Sequence, residues 1–169
     1  ERDGVKLDFA DYGNSPFFFT ENVVKDMTLV YSTTNGTNAI SVGSGARAVL
    51  IGSYLNFTAL AEKITEMNSD VLLLCAGWKD KYCIEDTVCC GALASKLIEQ
   101  KTHETICDSV HCAIDQWKLA EKNLLLYIEK AAQRHRLSKI GLDDVIPYCH
   151  EFDKTGKVPY FSGNRILSY

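Results

Sequence analysis

Apolar residues follow two rhythms along this chain. Met27-Thr28-Leu29-Val30-Tyr31, Ala48-Val49-Leu50-Ile51 and the stretch from Asp70 to Ala76 are short, nearly continuous apolar runs. Such runs predict buried strands. Elsewhere the spacing is helical. Leu60, Ile64 and Met67 share one face, and Val88, Leu93 and Leu97 mark a second helix over 85–100. Ile106, Val110, Ala113, Ile114, Trp117, Leu124 and Ile128 describe one long amphipathic helix reaching His135. Gly141 ends the helical region. Val158-Pro159-Tyr160-Phe161 and Ile166-Leu167 predict edge strands in the tail, the edge being favoured by Pro159. Residues 1–26 are turn-rich, with Gly13-Asn14-Ser15-Pro16 leading into Phe17-Phe18-Phe19.

Continuous apolar strands indicate a sheet covered on both faces. Strands alternating with helix-length segments favour crossovers and parallel pairing. The expected fold is therefore α/β, with a mixed or largely parallel sheet and helices on both faces. No repeat or linker divides the chain, so residues 1–169 form one domain.

Composition narrows the function. The chain has 169 residues, 46% hydrophobic and 24% charged, an ordinary globular balance. A formal charge of −4 and the lack of a basic stripe argue against nucleic acid. No apolar run approaches the roughly 18 residues of a membrane span. The seven cysteines are odd in number and sit mostly inside expected helices and strands. That usage indicates reduced thiols and a cytoplasmic protein.

In a parallel sheet, ligands bind beyond the carboxyl ends of the strands. Three expected strands end in small polar segments: Thr33-Thr34-Asn35-Gly36-Thr37, Gly52-Ser53-Tyr54-Leu55-Asn56, and Cys75-Ala76-Gly77 running on to Glu85-Asp86-Thr87. Parallel strands would bring them side by side. The first offers hydroxyls, an amide and a glycine. It reads equally as an anion site at a helix start and as an Asn-Gly turn. Asn56 suits an N-cap, which still permits a ligand contact. Glu85 and Asp86 are dipole partners of a helix start, or Mg²⁺ ligands and acid–base groups. Cys75 is a small buried hydrophobe or, with a lowered pKa, a nucleophile. Cys83, Cys89 and Cys90 lack zinc spacing, and no zinc is assigned. The Trp117 and Tyr127 face reads as core before subunit contact, and a homo-oligomer stays open.

Taken in order, these motifs resemble the 2-phosphosulfolactate phosphatase family. The resemblance rests on Glu1-Arg2-Asp3-Gly4, Gly13-Asn14-Ser15-Pro16, the three polar segments above, and Glu85-Asp86-Thr87 followed by Gly91-Ala92-Leu93. Asp144, Cys149, Asp153 and Val158-Pro159 resemble the family's ending. It implies a fold peculiar to that family and Mg²⁺-dependent hydrolysis of 2-phospho-3-sulfolactate to 3-sulfolactate and phosphate, a step of coenzyme M biosynthesis. The substrate is then a small phosphorylated sulfonate. Asp86, Glu85, Cys75 and Asn35 are the expected catalytic residues. Arg2, Asn14, Ser15, Thr33, Thr34, Gly36, Thr37, Ser53, Asn56 and Gly77 are expected to bind substrate, and Glu1, Glu85 and Asp86 to hold metal. Family members carry a further amino-terminal strand and an Asp/Arg motif, so the chain is expected to be the larger, carboxyl-terminal part of a longer phosphatase. A silent anion-binding module and a same-fold phosphatase for another phosphorylated hydroxy acid are the alternatives.

Overall fold

A computed structural model describes residues 5–169. Glu1 and Arg2, expected at the site, lie outside the described residues. The fold is mixed α/β. A 3-10 turn at Pro16–Phe18 leads to α1 (Glu21–Val24) and α2 (Gly36–Gly43), and β1 (Val49–Leu50) follows. A second 3-10 turn, Tyr54–Asn56, runs straight into α3 (Phe57–Met67). Then come α4 (Ile84–Glu99), α5 (Asp108–Ala120), α6 (Leu124–Ile128), α7 (Ala132–Lys139) and α8 (Val145–Cys149). The chain closes with β2 (Pro159–Ser162) and β3 (Arg165–Ser168).

The expected parallel sheet is not what these residues build. The described sheet has three strands in the order β1-β2-β3, and both pairings are antiparallel. Val49 faces Phe161 and Leu50 faces Tyr160, while β2 and β3 form a hairpin through Gly163-Asn164. Residues 27–31 and 70–76 join no ladder among the described residues. Val30 is 97% exposed and Leu72 is 86% exposed. An apolar run reports a preference for burial and says nothing of which strand will supply the ladder. In the tail, Ile166 and Leu167 lie in the edge strand β3 as expected, while the other strand differs. β2, which carries Pro159, is the central strand. Pro159 fits because it is the first residue of β2 and contributes only its carbonyl, which accepts from the Ile51 N–H at 2.8 Å.

The expected long helix is three helices. Asn123 restarts the chain by accepting from the Leu126 N–H at 3.1 Å, an N-cap that splits α5 from α6. The helices α3 and α4 match the sequence pattern closely. Their apolar faces supply Phe57, Leu60, Ala61, Ile64, Ala92, Leu93 and Leu97 to the main core, joined by Tyr54 and Val158. A smaller cluster gathers Ile128, Ala131, Val145 and Ile146.

Two polar devices tie this core to the tail. Asn56 is buried, and its Nδ2 donates to the carbonyls of Ile51 and Lys157, each at 3.1 Å. Its Oδ1 accepts from the Ser53 N–H at 2.9 Å. The start of α3 is capped instead by Asp153, which accepts from the Thr58 N–H at 2.7 Å and the Thr58 hydroxyl at 2.8 Å.

Helices α4 and α5 meet at Gly91. A Cβ built there would lie 2.0 Å from the carbonyl oxygen of Ala113. Only a residue without a side chain lets the two backbones approach so closely. Gly91→Ala is expected to destabilise the chain by about 2 kcal/mol or more, by the general cost of overpacking a core. Urea unfolding measures it. An unchanged midpoint would show that the helices separate freely.

Candidate active site

The turn before α2 is built by its own threonines. Thr33 Oγ1 accepts from the Thr37 N–H at 3.2 Å, and the Thr37 hydroxyl donates to the Thr33 carbonyl at 2.5 Å. Both hydroxyls are thus engaged in shaping the turn, and Gly36 opens the helix. Asn35 reaches out of it. Its Oδ1 accepts from the Lys79 N–H at 3.1 Å, across 44 positions of sequence. With the oxygen fixed, the amide NH₂ is the group left to meet a ligand.

The partner segment is a tight reversal. Trp78 and Lys81 form an isolated antiparallel bridge, and Gly77, Lys79 and Asp80 have φ of 67°, 50° and 59°. Gly77 suits this fold because a Cβ there would lie 2.9 Å from the Lys81 carbonyl oxygen. Asp86, in the first turn of α4, holds the reversal. Its Oδ2 accepts from the Gly77 N–H at 2.7 Å. Burial pushes the Asp86 carboxyl up, and the Gly77 hydrogen bond opposes the rise. Glu85 beside it is also raised by burial, with Asp86 adding repulsion and Arg136 countering it.

Cys75 ends the preceding segment. Its Sγ lies 3.6 Å from Cys90 Sγ on α4. Hydrogen bonds from Cys90 and, more weakly, Thr87 bring the Cys75 thiol down to about 7, against burial and the charge of Asp86. Cys89 is pushed up to about 12, chiefly by burial, and Cys90 is raised as well. One thiol of the group is therefore primed, and its neighbours stay protonated. The loop after β1 reaches this cluster through Tyr54. Its hydroxyl is buried and has no hydrogen-bond partner among the described residues, and Cys89, Cys90 and Asp86 add to the rise that burial gives it.

A cleft of about 200 Å³ opens beside these loops. Asn14, Ser15, Thr34 and Asn35 line one side of it, and Trp78, Gln133 and Arg136 line another. Leu137, Ile140 and Val145 are among its apolar walls. Ser15 is buried, and its Oγ accepts from the Phe17 N–H at 3.4 Å. Asn14 Oδ1 accepts from the Tyr31 hydroxyl. A broader, open hollow of about 430 Å³ near Glu62, Lys63 and Tyr169 holds none of the expected site residues.

The expected residues divide between the cleft and the segments behind it. Asn14, Ser15, Thr34 and Asn35 line the cleft. Gly77, Glu85, Asp86 and Cys75 do not line it and connect to it through Trp78, next to the Gly77 amide that Asp86 holds. Asn56 donates instead to the carbonyls of Ile51 and Lys157, and Ser53 donates to the Asn56 side-chain oxygen, so both amide ends of Asn56 are engaged. Arg136 and Gln133 were not anticipated, because α7 reads as a solvated helix rich in polar residues.

The sequence model of the 2-phosphosulpholactate phosphatase family matches residues 1–164. The chain belongs to this family. Among family members similar to it is a probable 2-phosphosulfolactate phosphatase of Clostridium acetobutylicum, 36% identical over 99% of this chain and 71% of the relative. Probable 2-phosphosulfolactate phosphatases of Clostridium novyi and Prochlorococcus marinus are 34% and 37% identical. These cover 98% and 94% of this chain, and 70% and 67% of the relatives.

Cys75 gives the site a direct electrostatic test. Its alkylation by iodoacetamide, followed by peptide mass mapping, is expected to rise with pH through a midpoint at about 7. Cys90→Ala removes the main hydrogen bond to the thiolate and should slow labelling at pH 7 by about tenfold. A titration centred near the ordinary thiol value in the wild type would contradict the geometry.

Proposed function

We propose that this chain hydrolyses 2-phospho-3-sulfolactate to 3-sulfolactate and phosphate, the coenzyme M step performed by enzymes of this kind, with Mg²⁺ as cofactor. Water attacks phosphorus, the ester P–O bond breaks, and the leaving alkoxide takes a proton. The observation that carries the reading is the pair of hydrogen bonds, Asn35 to Lys79 and Asp86 to Gly77, that tie the segment of the cleft-lining Trp78 to an amide on one element and a carboxylate on another.

Phosphoryl transfer places charge on the phosphoryl oxygens and asks mainly for position and electrostatics. The Asn35 amide NH₂, its oxygen already anchored, is set to donate to such an oxygen. The Thr34 hydroxyl stands beside it in the cleft. Asp86 has Oδ1 left over once Oδ2 accepts from Gly77. A carboxyl raised by burial can carry a proton to the leaving oxygen.

The donor set suits magnesium. Glu85 and Asp86 are half-buried, and burial raises both, so a cation there would offset their lost hydration. Among the described residues no three His, Cys, Asp or Glu side chains gather as a cage. Mg²⁺ commonly needs only one or two carboxylates, completing its shell with water and substrate phosphate. One of Glu85 and Asp86 would hold it while the other handles the proton, and when bound the metal would supply neutralisation of phosphoryl charge.

The setting is read as cytoplasmic. All seven cysteines are free, as in a reducing compartment. No helix among the described residues is long and apolar enough to cross a membrane.

Phosphate release from 2-phospho-3-sulfolactate, measured with Mg²⁺ and with chelator, tests the reading. The wild type is expected to be active only with the metal. Asp86→Asn should lose about 100-fold in rate and Asn35→Ala about 10- to 100-fold. Equal rates in all three chains would remove the named roles.

A further inference from the structure

Arg136 is the one cation among the described residues that line the cleft. It is held before any ligand arrives. The centre of its guanidinium lies 3.9 Å from the centroid of the Trp78 ring. Gln133, three residues earlier on α7, turns its Oε1 to accept from Arg136 Nε at 2.9 Å and also from NH2. One edge and one face of the guanidinium are thus fixed, the Cys83 thiol also takes a hydrogen bond from it, and the group lines the cleft, where an acceptor can reach it. A long side chain already fixed this way loses little entropy on binding.

The two halves of the site differ in chemistry. Asp86, tied to Gly77, and Glu85, whose charge Arg136 only partly offsets, form an acidic flank that suits a metal or a proton as further partner. The cleft itself has no carboxylate among its described lining residues, and it combines Arg136 with amides, hydroxyls and aliphatic walls. A substrate with a reacting phosphate and a second, inert anion meets these halves in one sense only. The phosphate goes to the acidic flank, where the reacting oxygens can be neutralised. Of the substrate's two inert anions, the carboxylate and the sulfonate, one goes to the guanidinium. A sulfonate keeps its charge at every working pH and is weakly hydrated. It therefore suits a delocalised cation lying over an indole between Leu137, Ile140 and Val145.

We propose that Arg136 binds the sulfonate of the substrate and that Gln133 and Trp78 are the positioning residues that aim it. This assignment rests on the phosphatase reading for the identity of the substrate.

Calorimetric binding of 3-sulfolactate and of lactate to the 169-residue chain separates the two claims. Lactate keeps the hydroxyl and carboxylate and lacks only the sulfonate. The wild type is expected to bind 3-sulfolactate about tenfold or more tightly than lactate, in line with a charge-assisted hydrogen-bonded pair. Arg136→Gln should abolish that preference and leave lactate binding unchanged. Gln133→Ala should reduce the preference without changing the thermal midpoint or the affinity for lactate, which a merely structural role would not do. A preference that survives in Arg136→Gln, one absent from the wild type, or an equal loss for both ligands would overturn the assignment. A wild type that shows the preference but releases no phosphate would sink the phosphatase reading and leave the sulfonate site standing.

Discussion

Two side-chain-to-backbone hydrogen bonds organise the functional half of this protein. The Asp86 carboxylate accepts from the Gly77 amide, and the Asn35 side chain accepts from the Lys79 amide. Each joins segments that have no strand ladder between them among the described residues. Gly77, Lys79 and Asp80 all take positive φ, a conformation that a reversal does not hold without external support. The two acceptors provide it from opposite sides, one from the start of α4 and one from the turn before α2. Remove that support and the cleft walls, the Trp78 ring and the platform for Arg136 lose their common reference.

The rest of the fold keeps those anchors still. The α3–α4–α5 core fixes the axis of α4, and Gly91 lets α5 lie against it at backbone distance. Asn56 and Asp153 then fasten the tail to α3 and β1 through bonds that span 95 to 101 positions. A buried amide with four hydrogen bonds costs little to bury and much to break. That is why Asn56, a polar residue in a small polar loop, serves the architecture here. The neighbouring Tyr54 reaches the cysteine and Asp86 cluster in its place.

The sequence made the helices readable because their apolar spacing is local. Leu60, Ile64 and Met67 mark α3, and the helix read over 85–100 from Val88, Leu93 and Leu97 is α4, within a residue of its observed ends. Strand pairing was not readable, because a ladder depends on a partner that local pattern does not name. Val30 and Leu72 have the composition of buried strand residues and are exposed, while Pro159 sits in the central strand. The break at Asn123 had a signal, an Asn ahead of Leu124-Leu125-Leu126, that the longer periodicity masked. At the site, Asn35, Gly77, Glu85 and Asp86 stood out through residue type beside expected strand ends, and they do share a region although the sheet argument behind that expectation differs from the fold. Arg136 and Gln133 had no such marker. Their role comes from Trp78, 58 residues before Arg136, packing under the guanidinium.

The central claim is that the 77–81 reversal is held by side chains from two distant elements. Amide hydrogen exchange by NMR reads this at the two bonded protons. The account predicts protection of the Gly77 and Lys79 amides well above loop rates, with the Lys79 proton released in Asn35→Ala and the Gly77 proton in Asp86→Ala. Unprotected exchange at both amides in the wild type would contradict it.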